Sequence, residues 1–153
     1  MNKKIVLNLL IILSFVALSF AYFVEFILGH EPCNLCKIER IPYIGALILG
    51  SLLIFIKKWE KIIILIIFLL FVLGAIVSVY HVGIEQGIFN ESLLCELGIN
   101  NKIDNTEDLL KTLENTPVSC KDVTFAIFGL SLATFNAVLS ILISYILLKL
   151  ILK

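Results

Sequence analysis

Long apolar runs separated by short polar gaps dominate the hydrophobic pattern of this chain. Three runs, Ile5 to Leu28, Ile62 to Tyr80 and Val123 to Leu148, are long enough to cross a bilayer core of about 30 Å at about 1.5 Å per helical residue. A fourth run, Ile41 to Ile56, reaches only about 24 Å as a helix, so a span there needs the preceding turn at the interface. The pattern therefore predicts four membrane helices, over about 5–28, 38–56, 62–80 and 123–148.

Small residues inside these runs indicate how the helices pack. They recur four apart, as at Ala46 and Gly50 or at Gly74 and Ser78, and this spacing lets helix backbones approach closely in lipid. The chain shows no repeat and no low-complexity linker. We therefore predict an all-α membrane protein with a single domain over 1–153, built as a four-transmembrane-helix bundle with a long loop between helices 3 and 4.

Composition and charge placement set the orientation. The chain is 60% hydrophobic with a mean hydropathy of +1.07, which is not the composition of an ordinary water-soluble domain. Twelve basic residues balance twelve acidic ones, so no net charge indicates a nucleic-acid partner. Basic residues fill the short segments: Lys3, Lys4, Lys57, Lys58, Lys61, Lys149 and Lys153. The positive-inside tendency predicts that these segments and both termini are cytoplasmic, with loops 29–37 and 81–122 on the opposite face.

Two weaker patterns lie at the N-terminus and in the long loop. The first run also fits a cleavable signal peptide ending near Ala21, but it continues to Leu28, which favours a retained span. In the loop, Asp104 as a cap and Pro117 as a stop predict a short surface helix, and apolar residues over 88–94 favour contact with the membrane surface.

All four cysteines fall on the predicted non-cytoplasmic face, where disulfides persist. Cys33 and Cys36 have the spacing of a redox-active pair, and a helix that opens at the second cysteine would favour its thiolate. Arg40 lies one helical turn beyond Cys36, although Pro42 predicts that regular helix begins near Ile41 and that the cysteine turn is looser. A fixed positive charge there would stabilise a thiolate or a reduced electron acceptor. In isolation, Arg40 would be an interfacial anchor paired with Glu39 or a lipid phosphate.

The other cysteines, Cys95 and Cys120, have two interpretations. Alone they would be a structural staple on the loop, whereas next to a second pair they could exchange disulfides with it. A four-cysteine zinc site is disfavoured because only one pair has ligand-like spacing, so no metal is predicted. His81 is either a polar tip at the interface or, if the bundle brings it near Cys36 and Arg40, a donor to the electron acceptor.

Several strings together resemble the disulfide bond formation protein B (DsbB) family of bacterial inner membranes. They are "EPCNLCKIERIPY", "YHVGIEQG" after the third run, one cysteine in the following loop, and "SCKDVTFAIFGLSLATFN" at the fourth run. The resemblance covers the whole chain in order. It implies an inner-membrane protein with cytoplasmic termini and periplasmic cysteines that reoxidises a DsbA-like periplasmic thiol oxidase and passes the electrons to ubiquinone or menaquinone. Vitamin K epoxide reductases, which share this chemistry, have a different cysteine order.

The resemblance also implies a role for each site residue. Cys33 and Cys36 resemble the pair that reduces the quinone, with Cys36 next to its ring. Arg40 and His81 resemble the residues beside the quinone head group. The loop pair, Cys95 and Cys120, resembles the pair that exchanges with DsbA. Two alternatives are a non-catalytic membrane scaffold with structural disulfides and a small transporter, the latter supported only by Glu25 as an acid within a span.

Overall fold

A computed structural model describes residues 3–55, 57–90, 95, 119–121, 126–127 and 129–152. The predicted loop helix over 104–117 lies outside the described residues, as do Leu93 and Leu94 of the predicted surface segment. The described elements, in chain order, are helices α1 (Lys3–Phe26), α2 (Asn34–Ile38) and α3 (Ile41–Phe55), a 3₁₀ turn (Lys57–Trp59), helix α4 (Glu60–Glu85), strands β1 (Ala126–Ile127) and β2 (Leu130–Ser131), and helix α5 (Leu132–Ile151).

Three of these helices, α1, α4 and α5, are long and apolar enough to cross a membrane. Large apolar side chains stay exposed along their outer faces, as expected for contact with lipid tails: examples are Leu9, Phe15, Leu73, Ile76 and Leu142. The chain thus has the construction of a multi-pass membrane protein. Helix α3 has 15 residues and falls short of the others, so a fourth crossing stays a prediction.

Helix boundaries differ from the predicted spans for local reasons. Helix α3 begins at Ile41 and not at 38, because Pro42 suits the first turn of a helix and ends the shorter helix before it. Helix α4 runs past Tyr80 to Glu85, so the first residues of the predicted loop 81–122 are helical. Helix α5 begins at Leu132 instead of 123: the β1–β2 hairpin precedes it, and the Ser131 hydroxyl accepts the Thr134 N–H at 3.2 Å as its cap.

Helix α4 lies at the centre of the bundle, packed most extensively against α5 and also against α3, which in turn packs against α1. Its inward residues Ile67 and Phe71 are fully buried, and the Phe71 ring meets the edge of Tyr43 at 5.3 Å between centroids. A second, smaller apolar cluster lies at the end of α4 that carries Ile84. It contains Leu35 of α2 and three cysteines, Cys33, Cys95 and Cys120, and this end of the bundle holds the candidate site.

Gly74 allows α3 and α4 to approach closely, and its replacement provides a test of the packing. A Cβ at Gly74 would lie 2.7 Å from Cγ of Pro42, which is part of a rigid ring. By helix propensity alone, alanine would stabilise α4 over glycine by about 1 kcal/mol. We nevertheless expect Gly74→Ala to lower the thermal unfolding midpoint in detergent, because the contact with Pro42 adds a steric cost of about 1–3 kcal/mol. Gly45→Ala on α3 is the matched control, since its Cβ would meet only the mobile end of Leu70 at 2.7 Å. A midpoint raised by Gly74→Ala would contradict this packing.

Candidate functional site

The two cysteines of the CxxC motif lie on a tight turn that opens α2. Cys33 is the residue before the helix, with extended backbone (φ −63°, ψ 168°), and its Sγ accepts the backbone N–H of Cys36 at 3.2 Å. The two Sγ atoms are 2.7 Å apart and both cysteines are free thiols. Asn34 and Leu35 occupy the turn, and Leu35 is fully buried. The pair is therefore held where a disulfide can open and close with little movement of the backbone.

The surroundings distinguish the two thiols. A hydrogen bond from Cys36, assisted by His81, lowers the pKa of the Cys33 thiol to about 4, although burial opposes this shift. The pKa of Cys36 moves in the opposite direction and lies above its usual range, because of its hydrogen bond with Cys33, its partial burial, and the nearby negative charges of Cys33 and Glu39. Of the two thiols, Cys33 is therefore the more readily ionised.

His81, on α4, contacts the cysteine pair. Its Nε2 lies 3.6 Å from Sγ of Cys33, and its Nδ1 lies 2.8 Å from Oε1 of Glu39. One of the two interpretations from the sequence had His81 near Cys36 and Arg40; the structure brings it within 4.8 Å of the Cys36 sulfur, with Cys33 and Glu39 as its hydrogen-bond partners. His81 and Glu39 are only 2% and 7% exposed, so this is a buried imidazole–carboxylate pair.

Asn136, on α5, extends this polar group across the bundle, and sequence reasoning missed it. Its Nδ2 donates to Oε2 of Glu39 at 2.9 Å and to Oγ of Ser78 at 2.7 Å, and its Oδ1 accepts the Tyr43 hydroxyl at 2.5 Å. The only signal in the sequence was an asparagine within an apolar run, since polar side chains inside membrane helices usually have a partner there. Asn136 therefore links α3 and α4 to the segment that carries Glu39.

Arg40 makes an ion pair with Glu25 of α1, and the guanidinium lies over the Tyr22 ring at 4.9 Å from its centroid. Both side chains are largely buried, at 14% and 22% exposure. Glu39, the partner considered for Arg40 in isolation, is not its counter-charge in the structure. Glu39 instead pairs with His81, and helix α1 supplies the counter-charge for Arg40.

A cavity of about 480 Å³ lies beside these residues, enclosed by α1, α3 and α5. Its walls are mostly apolar, including Leu18, Phe20 and Leu139. Its polar lining includes Cys36, Glu39 and Asn136, and the Arg40–Glu25 ion pair. An apolar cleft with a few convergent polar side chains is the usual form of a small-molecule site. Cys36 therefore faces a space that a lipophilic molecule can fill.

The second cysteine pair is a disulfide, Cys95–Cys120, with Cα atoms 6.0 Å apart. Both residues are buried in the same apolar cluster as Cys33, and the side-chain amide of Asn34 donates to the Cys95 carbonyl at 3.1 Å. The structure thus places the loop pair against the CxxC turn, as exchange between the two pairs requires.

These features define a class, a helical membrane protein that carries a buried dithiol beside a disulfide. The sequence profile of the family described as "Disulfide bond formation protein DsbB" matches residues 3–150. The chain belongs to the DsbB family, whose members are thiol oxidoreductases of disulfide bond formation. A protein of Rickettsia prowazekii (strain Madrid E), named "Uncharacterized protein RP370", is 32% identical over 139 residues, covering 89% of this chain and 81% of the relative. No solved structure matches the chain.

Proposed function

We propose that this protein oxidises the dithiol of a DsbA-like periplasmic thiol oxidase and transfers the electrons to a membrane quinone. The proposal rests on the position of the CxxC pair between the apolar cavity and the loop disulfide. Cys36 lines the apolar cavity on one side, and Cys33 packs in one cluster with the Cys95–Cys120 disulfide on the other. The protein would therefore link a water-soluble dithiol to a lipid-soluble oxidant.

The proposed route has three two-electron steps that balance. The partner's dithiol reduces Cys95–Cys120 and becomes a disulfide. The loop dithiol then reduces a Cys33–Cys36 disulfide and is itself reoxidised. The Cys33–Cys36 dithiol finally loses two electrons and two protons and becomes a disulfide again. Each exchange proceeds by attack of a thiolate on a disulfide sulfur through a mixed disulfide.

The cavity fits a quinone, ubiquinone or menaquinone, by its chemistry. Its apolar walls suit a hydrophobic molecule, and Arg40 and Cys36 supply a positive charge and a sulfur at its polar side. A bound quinone supplies the acceptor for two electrons and two protons. Such a sink is needed because DsbA is itself a strong oxidant at about −120 mV, and the bacterial periplasm is kept oxidising by DsbA, DsbB and quinone. Arg40 would orient the acceptor and stabilise negative charge on it.

For this route the cysteines must face the periplasm, with both termini in the cytoplasm of a bacterium and the chain in its inner membrane. The lysines at both chain ends and in the turn over 57–61 support this orientation. Single cysteines introduced at Asn2 and at Lys153 test it: a membrane-impermeant maleimide should label neither in intact spheroplasts and both after permeabilisation. Labelling of either terminus from outside would contradict the orientation.

The reaction itself is tested with purified protein in lipid nanodiscs, a reduced DsbA-like partner and ubiquinone or menaquinone. We expect one quinone molecule to be reduced, as read from quinone absorbance, for each partner disulfide formed. Omission of the membrane protein should stop both quinone reduction and partner oxidation. Partner oxidation without quinone consumption, by folded protein under anaerobic conditions, would contradict the proposed acceptor.

Replacement of the loop pair separates the two exchange steps. The Cys95→Ser and Cys120→Ser double variant should oxidise the reduced partner at least about 100-fold more slowly, because attack on a disulfide requires that disulfide to exist. The same variant should still reduce quinone with dithiothreitol as donor, since a small dithiol can reach the CxxC pair directly. Loss of both activities in a folded variant would show that the loop pair serves the quinone step as well.

The CxxC pair and His81 also have the geometry of a metal site. The ligand atoms of Cys33, Cys36 and His81 lie within 4.8 Å of one another, and two thiolates with one imidazole suit Zn²⁺. The zinc site weighed from sequence was a different one, made of four cysteines. Metal analysis of the purified reduced protein distinguishes the functions: stoichiometric zinc that blocks quinone reduction until a chelator removes it would favour metal binding as the resting state.

A further inference from the structure

Asn34, the residue after the first cysteine of the CxxC motif, connects the two cysteine pairs directly. It is the first residue of α2, and its half-buried side-chain amide donates to the Cys95 carbonyl at 3.1 Å. Cys95 lies 61 residues further along the chain and is a member of the loop disulfide. A hydrogen bond therefore runs from inside one cysteine pair to the main chain of the other.

Apolar contacts alone do not fix how the loop pair sits on the CxxC turn. Both pairs contribute to one buried cluster, through Cys33, Cys95 and Cys120, and the attraction between apolar side chains has no preferred direction. A hydrogen bond is directional, so the Asn34 amide defines where the Cys95 main chain lies over the turn. Cys95 is only 5% exposed, so its carbonyl needs a partner inside the protein, and Asn34 provides one.

Exchange between the two pairs depends on such positioning. A sulfur of one pair must meet a disulfide sulfur of the other, and a displacement of about 1 Å can slow a reaction between held groups about 100-fold. In this step the loop dithiol gives two electrons and two protons to the Cys33–Cys36 disulfide; that S–S bond breaks and the Cys95–Cys120 bond forms. The structure has the sulfurs as this step leaves them, with the loop pair joined and the CxxC pair free.

We propose that Asn34 is a positioning residue that seats the Cys95–Cys120 pair on the CxxC turn for exchange between the two pairs. The Asn34 amide takes no part in the transfer of electrons or protons, so it acts by holding the sulfurs of one pair within reach of the other. The inference rests on the proposed function and deepens it, because it assigns a residue to the internal exchange step.

The test measures how often sulfurs of the two pairs meet, and it needs neither quinone nor a partner protein. Two variants of the full-length protein, one with Cys36→Ser and Cys95→Ser and the other with Cys36→Ser and Cys120→Ser, retain Cys33 and a single loop cysteine. Reduced and oxidised glutathione set the equilibrium between the free thiols and the inter-pair disulfide in nanodiscs, and a gel shift with a polymer-linked maleimide reports it. The equilibrium constant gives the effective concentration of one sulfur at the other.

Asn34→Leu has the same branched shape as the wild-type side chain and lacks the donor. In whichever variant forms the inter-pair disulfide more completely, we expect it to lower the effective concentration about tenfold, which corresponds to about 1.4 kcal/mol and to one good hydrogen bond. Asn34→Ala should give a similar loss and serves in its place if Asn34→Leu does not fold. Asn34→Gln keeps the donor and should restore most of the lost effective concentration. Asn8→Leu, the same substitution at an exposed position of α1, is the matched control and should leave the value unchanged.

A residue between two cysteines can also change the redox equilibrium of its own pair, and a further variant separates that role. In protein with Cys95→Ser and Cys120→Ser, the equilibrium of the Cys33–Cys36 pair with glutathione is measured with and without Asn34→Leu. We expect the inter-pair equilibrium to fall by more than this equilibrium changes. Equal changes in the two equilibria, a change in the CxxC pair alone, or no inter-pair disulfide at all in protein that retains Asn34 would overturn the inference. Failure of the wild type to reduce quinone would instead overturn the proposed function, and the effective concentration would still report on Asn34.

Discussion

Cys36→Ser should abolish quinone reduction, lowering the rate on the order of 10³-fold or more, as loss of a nucleophile does in other enzymes. The pair carries two electrons only because two sulfurs can join in a disulfide. A serine oxygen cannot form that bond, and Cys36 is the member of the pair that lines the cavity. The measurement is quinone absorbance with a reduced partner as donor. Serine is close to cysteine in size, so packing around the turn should change little.

The same variant separates the enzyme from a scaffold whose cysteines serve only to brace the loop. A scaffold would tolerate Cys36→Ser with disulfide formation in exported proteins unchanged, and that result would overturn the proposed function. Retention of the Cys95–Cys120 disulfide, read as the absence of free thiols at those positions, is the internal control for folding. The proposed enzymatic function predicts that exported proteins lose their disulfides while the Cys95–Cys120 disulfide persists.

The features of this site that the sequence could predict are those that depend on residues close together along the chain. The start of regular helix near Ile41 follows from the neighbouring Pro42, and the structure confirms it. The resting disulfide pattern did not follow from the sequence; in the structure Cys95 and Cys120 are joined and Cys33 and Cys36 are not. The contact of His81 with the cysteine turn was one of two stated interpretations, and the structure favours it over an isolated polar tip.

The polar network could not be read from the sequence because its partners are distant along the chain. Glu39 and Asn136 are 97 residues apart, and Glu39 and His81 are 42 apart. Hydrophobic periodicity reports which face of a helix is buried, but not which polar side chains meet inside the bundle. The partner of Arg40 could not be read from the sequence for the same reason. Its neighbour Glu39 was the obvious counter-charge, but Glu39 pairs with His81 of α4, and Glu25 of α1 pairs with Arg40.

Arg40→Met should lower the rate of quinone reduction about 100-fold, mainly by weakening the step at the cavity. Arg40 has two functions that the single variant cannot separate. It neutralises Glu25, and in the proposed mechanism it also stabilises negative charge on the acceptor. Removing one partner of a buried ion pair is costly by itself, typically about 3–5 kcal/mol, because a buried charge is left alone.

The double variant Arg40→Met with Glu25→Leu separates these functions, because replacing a buried ion pair with apolar residues is often neutral for stability. If Arg40 only neutralises Glu25, the double variant should recover both its thermal unfolding midpoint and its rate. We expect the midpoint to recover while quinone reduction stays about 100-fold low, since the positive charge beside Cys36 is still missing. Recovery of the rate together with the midpoint would show that Arg40 is purely structural. Partner exchange at Cys95–Cys120, measured without quinone, should be unaffected in either variant, because that disulfide belongs to the cluster around Cys33 and not to the cavity.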